Sequence, residues 1–124
     1  MSLRIATFNL ENLDDGVNVQ PPLAERIQIM RPQLERVAAD IIFLQEIHSQ
    51  GSAGSRTLTA LDQLLSTTPY TGFNRQATIT TSGQLYDQRN LVTLSRFPIV
   101  STQFIRDSAG LLLSKGFKPT KTFT

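Results

Sequence analysis

Between Leu3 and Glu46 the chain reads apolar strand, amphipathic helix, apolar strand, and that order restricts the fold more than any other feature. Leu3 to Phe8 alternates larger apolar residues with polar or small ones, the period of a strand. Pro21-Pro22 permits a helix start. Leu23, Ile27, Met30, Leu34 and Val37 then recur at spacings of four, three, four and three, which makes one apolar helical stripe. Pro32 interrupts the stripe and predicts a kink or split near Met30-Arg31. Ala39-Asp40 closes the helix, and Ile41 to Gln45 follows as a central strand. A strand that returns parallel to its neighbour needs such a crossover, and the crossover is right-handed.

The remainder predicts smaller elements. Asn9 to Gln20, with Asp14-Asp15-Gly16 and several asparagines, reads as a loop, and so does Ser49 to Ser55. Thr57 to Leu65 sets Leu58, Leu61, Leu64 and Leu65 on one face of a second helix. Tyr70 to Thr81 reads as a strand, Thr81 to Gln84 as a turn, and Leu85 to Ser95 as its hairpin partner. Phe97-Pro98 ends that strand, and Ile99 to Ile105 reads as another. The sum is an α/β fold with a mixed sheet and flanking helices. Such a sheet binds ligands at the carboxyl ends of its strands.

Composition removes several function classes. With no cysteine there is no disulfide framework, no thiol catalysis and no cysteine-ligated zinc. His48 is the one histidine, so no site can use two. No apolar run approaches the ~18 residues of a membrane span. The N-terminus enters Leu3 to Phe8 with no export leader, and the expectation is a cytoplasmic protein. A pI of about 9.4 invites a nucleic-acid reading, but the charges are unevenly placed. Residues 1–108 hold nine arginines and ten acids, whereas 109–124 hold Lys115, Lys118 and Lys121 and no acid. The body is near neutral and offers no steering field for a polyanion. The chain therefore divides at 108, with 109–124 expected to be a disordered tail or one of different origin.

Two polar residues stand at the carboxyl ends of apolar strands. Asn9 follows Ile5 to Phe8, and Glu46 follows Ile41 to Gln45. If the strands are parallel neighbours, both arrive at one rim of the sheet. A carboxylate there suits a hard cation such as Mg²⁺, which takes oxygen ligands and keeps several waters. An asparagine amide can donate to a phosphate oxygen or accept from a ligand water. The plain alternative for Glu46 is an ordinary strand-end surface residue.

Three segments extend this pattern. Leu3 to Leu13 resembles the opening strand of the endonuclease/exonuclease/phosphatase superfamily. Ala39 to Glu46 is similar to its second motif, an apolar strand ending in Gln-Glu. Asn90 to Ile99 resembles a third, in which a strand ends in Leu-Ser-Arg before a proline. The order is the family's, and the resemblance covers residues 3 to about 108. It implies one half of a four-layer αββα sandwich and Mg²⁺-dependent (or Mn²⁺-dependent) hydrolysis of a phosphoester. The substrate class stays open among nucleic acid, phospholipid and small phosphate ester. By the same resemblance Glu46 is a metal ligand, Asn9 orients the phosphate or a metal-bound water, and Asn90 contacts substrate. The alternative for Asn90 is a hairpin residue hydrogen-bonded to backbone. Arg96 is expected to anchor a strand end through a carboxylate, and His48 to be a solvated loop residue.

The family's Asp-x-Asn and Asp-His motifs, which supply the activating aspartate and the phosphate-site histidine, do not occur in these 124 residues. The chain is therefore expected to be an incomplete catalytic domain, inactive by itself. One sheet face is expected to stay open and to favour self-association. The alternative function is a non-catalytic fragment or assembly partner that needs a complementary chain.

Overall fold

The helical stripe and the two apolar runs build one side of a single sheet. The computed structural model describes residues 2–105. Its elements are β1 (Ile5–Leu13), α1 (Leu23–Val37), β2 (Ile41–Ile47), α2 (Thr59–Leu65), a 3-10 turn (Pro69–Gly72), β3 (Asn74–Ala77) and β4 (Asn90–Ser95). The sheet order is β1-β2-β4-β3. β1 and β2 are parallel, with Ile5 opposite Ile41 and Asn9 opposite Gln45. β4 runs antiparallel to both β2 and β3. The fold is thus α/β, a four-strand mixed sheet with two helices, and the crossover read from residues 3–46 is present.

Strand alternation sorts the side chains between two faces. Ala6, Phe8 and Leu10 of β1, Ile42 and Leu44 of β2, and Val92 and Leu94 of β4 join a core with Leu34, Leu61, Leu64, Leu65 and Tyr70. Each fully buried leucine contributes about 1.5–3 kcal/mol relative to an exposed one. Among the described residues no helix covers the other face. Ile5 is 56% exposed there and Phe43 41%.

Local bonds fix the helix ends. α1 stops at Ala38, which adopts a left-handed φ of 46° and donates its backbone N–H to Leu34 O. Tyr70 Oη donates to Leu34 O at 2.9 Å and accepts from Ala39 N at 3.0 Å, so it joins the helix end to the start of β2. Arg31 donates to Gln63 O and Leu64 O, capping α2 where carbonyls lack intrahelical partners. Arg96 pairs with Asp40 at 3.2 Å, the anchoring expected of it.

Several boundaries differ from the sequence reading. α1 continues through Pro32 without splitting, because its apolar face is packed against the core on both sides of the proline. β1 continues past Asn9 to Leu13, where a loop was expected. The segment 70–81 is strand only over Asn74–Ala77, because Pro69 opens the 3-10 turn that sends Tyr70 inward. β4 begins at Asn90 rather than Leu85. Residues 99–105 form no strand. Val100 is 95% exposed, so β propensity there has no packing surface to act on. The expectations for 109–124 lie outside the described residues.

Candidate functional site

Both β1 and β2 change phase at the same end of the sheet. By strict alternation Glu46 belongs with Ile42 and Leu44 on the helix-covered face. Instead Glu46 takes a left-handed φ of 60°, the ladder shifts between Leu44 and Ile47, and Ile47 becomes the buried residue. β1 makes the matching change. Glu11 (φ 48°) and Asn12 (φ 55°) are both left-handed, the register shifts between Asn9 and Leu13, and Leu13 is buried. A bulge re-aims side chains, and a left-handed non-glycine residue costs of order 1–2 kcal/mol.

The result is a contact between residues from opposite faces of the sheet. Asn9, on the open face, donates from Nδ2 to Glu46 Oε2. Asn9 Oδ1 accepts the backbone N–H of Glu11 at 2.7 Å, which fixes which amide atom faces the carboxylate. The two residues picked out in the sequence therefore meet, Asn9 within β1 and Glu46 near the carboxyl end of the adjacent parallel β2. Arg26 supports them from behind. It is buried on α1, and its guanidinium donates to Leu10 O and Asn12 O, holding the β1 bulge.

Asn90 is placed differently from the expected substrate contact. It is fully buried at the start of β4, opposite Ile47. Its Nδ2 donates to Ile47 O (3.0 Å) and Tyr86 O (2.8 Å). Its Oδ1 accepts from Tyr86 N (3.0 Å) and Thr78 Oγ1 (3.3 Å). An amide has two donors and two acceptor lone pairs, so all four are engaged. In this geometry the side chain joins β2, β4 and the 78–86 segment and presents nothing to a ligand. That corresponds to the hairpin role given as its alternative.

No family model, curated protein or solved structure matches this chain.

The rim also gathers residues that the sequence left as loop. His48 is half-buried rather than solvated, with Nδ1 3.5 Å from an Asp14 carboxylate oxygen and Nε2 3.3 Å from Asn12 Oδ1. Arg89 Nε donates to the same Asn12 oxygen at 3.3 Å. Because Arg89 can only donate, the Asn12 atom is its carbonyl oxygen, and His48 Nε2 donates to it. Gln50 ties the rim to α2 by donating to Asp14 Oδ1 and accepting from Ala60 N. The missed signal was tertiary: Asn12, His48 and Arg89 meet only when β1, β2 and β4 are adjacent. Of the six left-handed non-glycine residues among those described, four (Glu11, Asn12, Glu46 and Arg89) stand at this one end of the sheet.

Among the described residues no group of three or more His, Cys, Asp or Glu side chains is arranged to hold a metal ion. At the Asn9 contact the rim provides a carboxylate, Glu46, beside a neutral amide, while Asp14 is engaged by His48 and Gln50. That donor set fits Mg²⁺, which binds through one or two carboxylates and keeps water on its other positions. It does not fit zinc, which takes three or four protein ligands. A cavity of about 310 Å³ lined by Asp62, Tyr70, Phe73 and Arg75 opens toward the other end of the sheet, and its charges are paired with each other at 2.6 Å. Among the described residues no helix is long and apolar enough to cross a membrane.

Proposed function

We propose that the chain is the N-terminal part of a metal-dependent phosphoester hydrolase of the endonuclease/exonuclease/phosphatase type. Mg²⁺ (or Mn²⁺) is held through Glu46, and Asn9 orients Glu46 and the phosphate. One observation carries this reading. Glu46 leaves the face that strand alternation assigns it, through a left-handed backbone, to meet Asn9. A carboxylate serving only as a polar strand end has no need of that conformation, and such outliers collect at functional sites. The resemblance of Leu3–Leu13, Ala39–Glu46 and Asn90–Ile99 supports the same reading.

The bound cation would polarise a phosphoryl oxygen and stabilise the leaving oxygen. Asn9 keeps one Glu46 oxygen engaged and leaves the other for the cation. Arg26 holds the bulge, and Asn90 fixes the start of β4. These 124 residues contain neither Asp-x-Asn nor Asp-His, so water activation and the second charge-stabilising group are missing, and this chain alone does not turn over. Binding tests the reading without needing turnover. Mg²⁺ and inorganic phosphate each raise the other's affinity, and Glu46→Gln abolishes that coupling. Independent binding of the two, or coupling that survives Glu46→Gln, overturns it. Glu46-dependent turnover of an activated phosphodiester by the purified chain overturns the claim of inactivity.

A second reading, an assembly partner that works through the sheet, is favoured by the open face with Ile5 and Phe43 exposed on it. Light scattering separates the two. Concentration-dependent association supports assembly, and a clean monomer with cooperative unfolding opposes it.

A further inference from the structure

We infer that Arg89 is the anion-receiving residue of the rim and contacts a non-bridging oxygen of a bound phosphoryl group. The inference rests on the reading of the rim as a phosphoester site. Arg89 immediately precedes Asn90, which pairs with Ile47, so it stands across from His48 at the end where Asn9 and Glu46 meet. Its Nε is engaged by Asn12 Oδ1, and it makes no ion pair among the described residues. The nearest carboxylate in sequence, Asp87, is taken by Arg56 at 2.8 Å. The guanidinium is thus exposed, unneutralised and oriented by one bond, with its terminal nitrogens left for a ligand. Paired donors in that fork match two phosphate oxygens.

The backbone beneath it is held from two directions. Asn90 fixes Tyr86 through two hydrogen bonds. Asp87 O accepts from both Ser49 N and Ser49 Oγ. Arg89 itself has a left-handed φ of 57°, a conformation that glycine adopts freely and arginine does not. An arginine kept at such a position, on an anchored segment, at the same end of the sheet as Glu46 and Asn9, is what a preorganised anion contact requires. Ordinary surface arginines on this chain, such as Arg36 in the last turn of α1, have no such support.

The test is titration of inorganic phosphate into the full chain by calorimetry, in metal-free buffer and again with Mg²⁺. Wild type binds saturably. Arg89→Gln and Arg89→Gly each weaken binding about tenfold or more, the range for losing charge-assisted hydrogen bonds. Arg36→Gln leaves it unchanged. Arg89→Gly guards against a folding artefact, since glycine relieves the left-handed φ and its melting temperature is expected to equal or exceed wild type. Wild-type affinity in both Arg89 variants, or no saturable binding to wild type in either buffer, overturns the inference. A Mg²⁺ titration of Glu46→Gln separates the two claims. If Mg²⁺ binding ignores Glu46 while metal-free phosphate binding still needs Arg89, the hydrolase reading fails and the anion contact stands.

Discussion

Replacing Asn90 by alanine tests whether this residue belongs to the fold or to a substrate. The side chain is fully buried and makes four hydrogen bonds, three of them at 3.0 Å or less. Alanine removes all of them. It leaves Ile47 O, Tyr86 O, Tyr86 N and the Thr78 hydroxyl to find partners in a buried setting. At about 1 kcal/mol for each of the three short bonds, the expected loss is about 3 kcal/mol, and more if the orphaned groups stay dry. With a urea m-value of about 1–3 kcal/mol/M, the unfolding midpoint drops by about 1–3 M. Asn90→Asp discriminates further. It keeps the volume but turns an oxygen toward two carbonyl oxygens, so it falls at least as far as alanine. A cavity effect alone predicts the reverse, because aspartate fills the space. A midpoint within about 0.3 M of wild type for Asn90→Ala would refute the reasoning and return Asn90 to the set of substrate contacts.

Three other perturbations follow from the structure. Tyr70→Phe deletes the hydroxyl that links Leu34 O and Ala39 N, and is expected to cost about 1–3 kcal/mol in urea unfolding; no loss would mean that the helix end is satisfied otherwise. Glu46→Gly relaxes the φ of 60° and is expected to raise stability by about 1 kcal/mol while removing cation binding; a fall in stability would mean that the carboxylate serves the fold. Ile5→Thr with Phe43→Ser is expected to weaken any concentration-dependent association seen by sedimentation velocity while keeping the far-ultraviolet circular dichroism of wild type; unchanged association would exclude the open face as its surface.

The parts of the fold legible in the sequence are those governed by a sustained period. The stripe Leu23 to Val37 and the run Ile41 to Leu44 each state one face for long enough to be read, and the parallel pairing of β1 with β2 follows from their order. The sequence is no longer legible where the strand period breaks. Leu10 and Leu13 are both buried, an interval of three that no regular strand allows, and it arises because Glu11 and Asn12 turn the chain between them. The same shift carries Glu46 out and Ile47 in. Its left-handed φ falls on a glutamate, a residue that gives no local signal for it. Tyr70 to Phe73 failed for a different reason. Their β propensity is overridden by a turn that Pro69 initiates and that Tyr70 anchors in the core. Asn9 and Glu46 were legible as polar residues following apolar runs at one end of two parallel strands, but their contact depends on the left-handed Glu46 that the sequence does not signal. Arg89 and Asn12 are separated by 77 positions and have no shared local pattern, so only the assembled sheet brings them together.

The central claim is that Glu46 was turned out of its strand phase to hold a cation beside Asn9. Titration of Mn²⁺, followed by electron paramagnetic resonance with Mg²⁺ as competitor, tests it most directly on the intact chain. The account predicts a single saturable site that Mg²⁺ displaces, weakened at least tenfold by Glu46→Gln, with the fold retained. Equal Mn²⁺ binding by wild type and Glu46→Gln would contradict it.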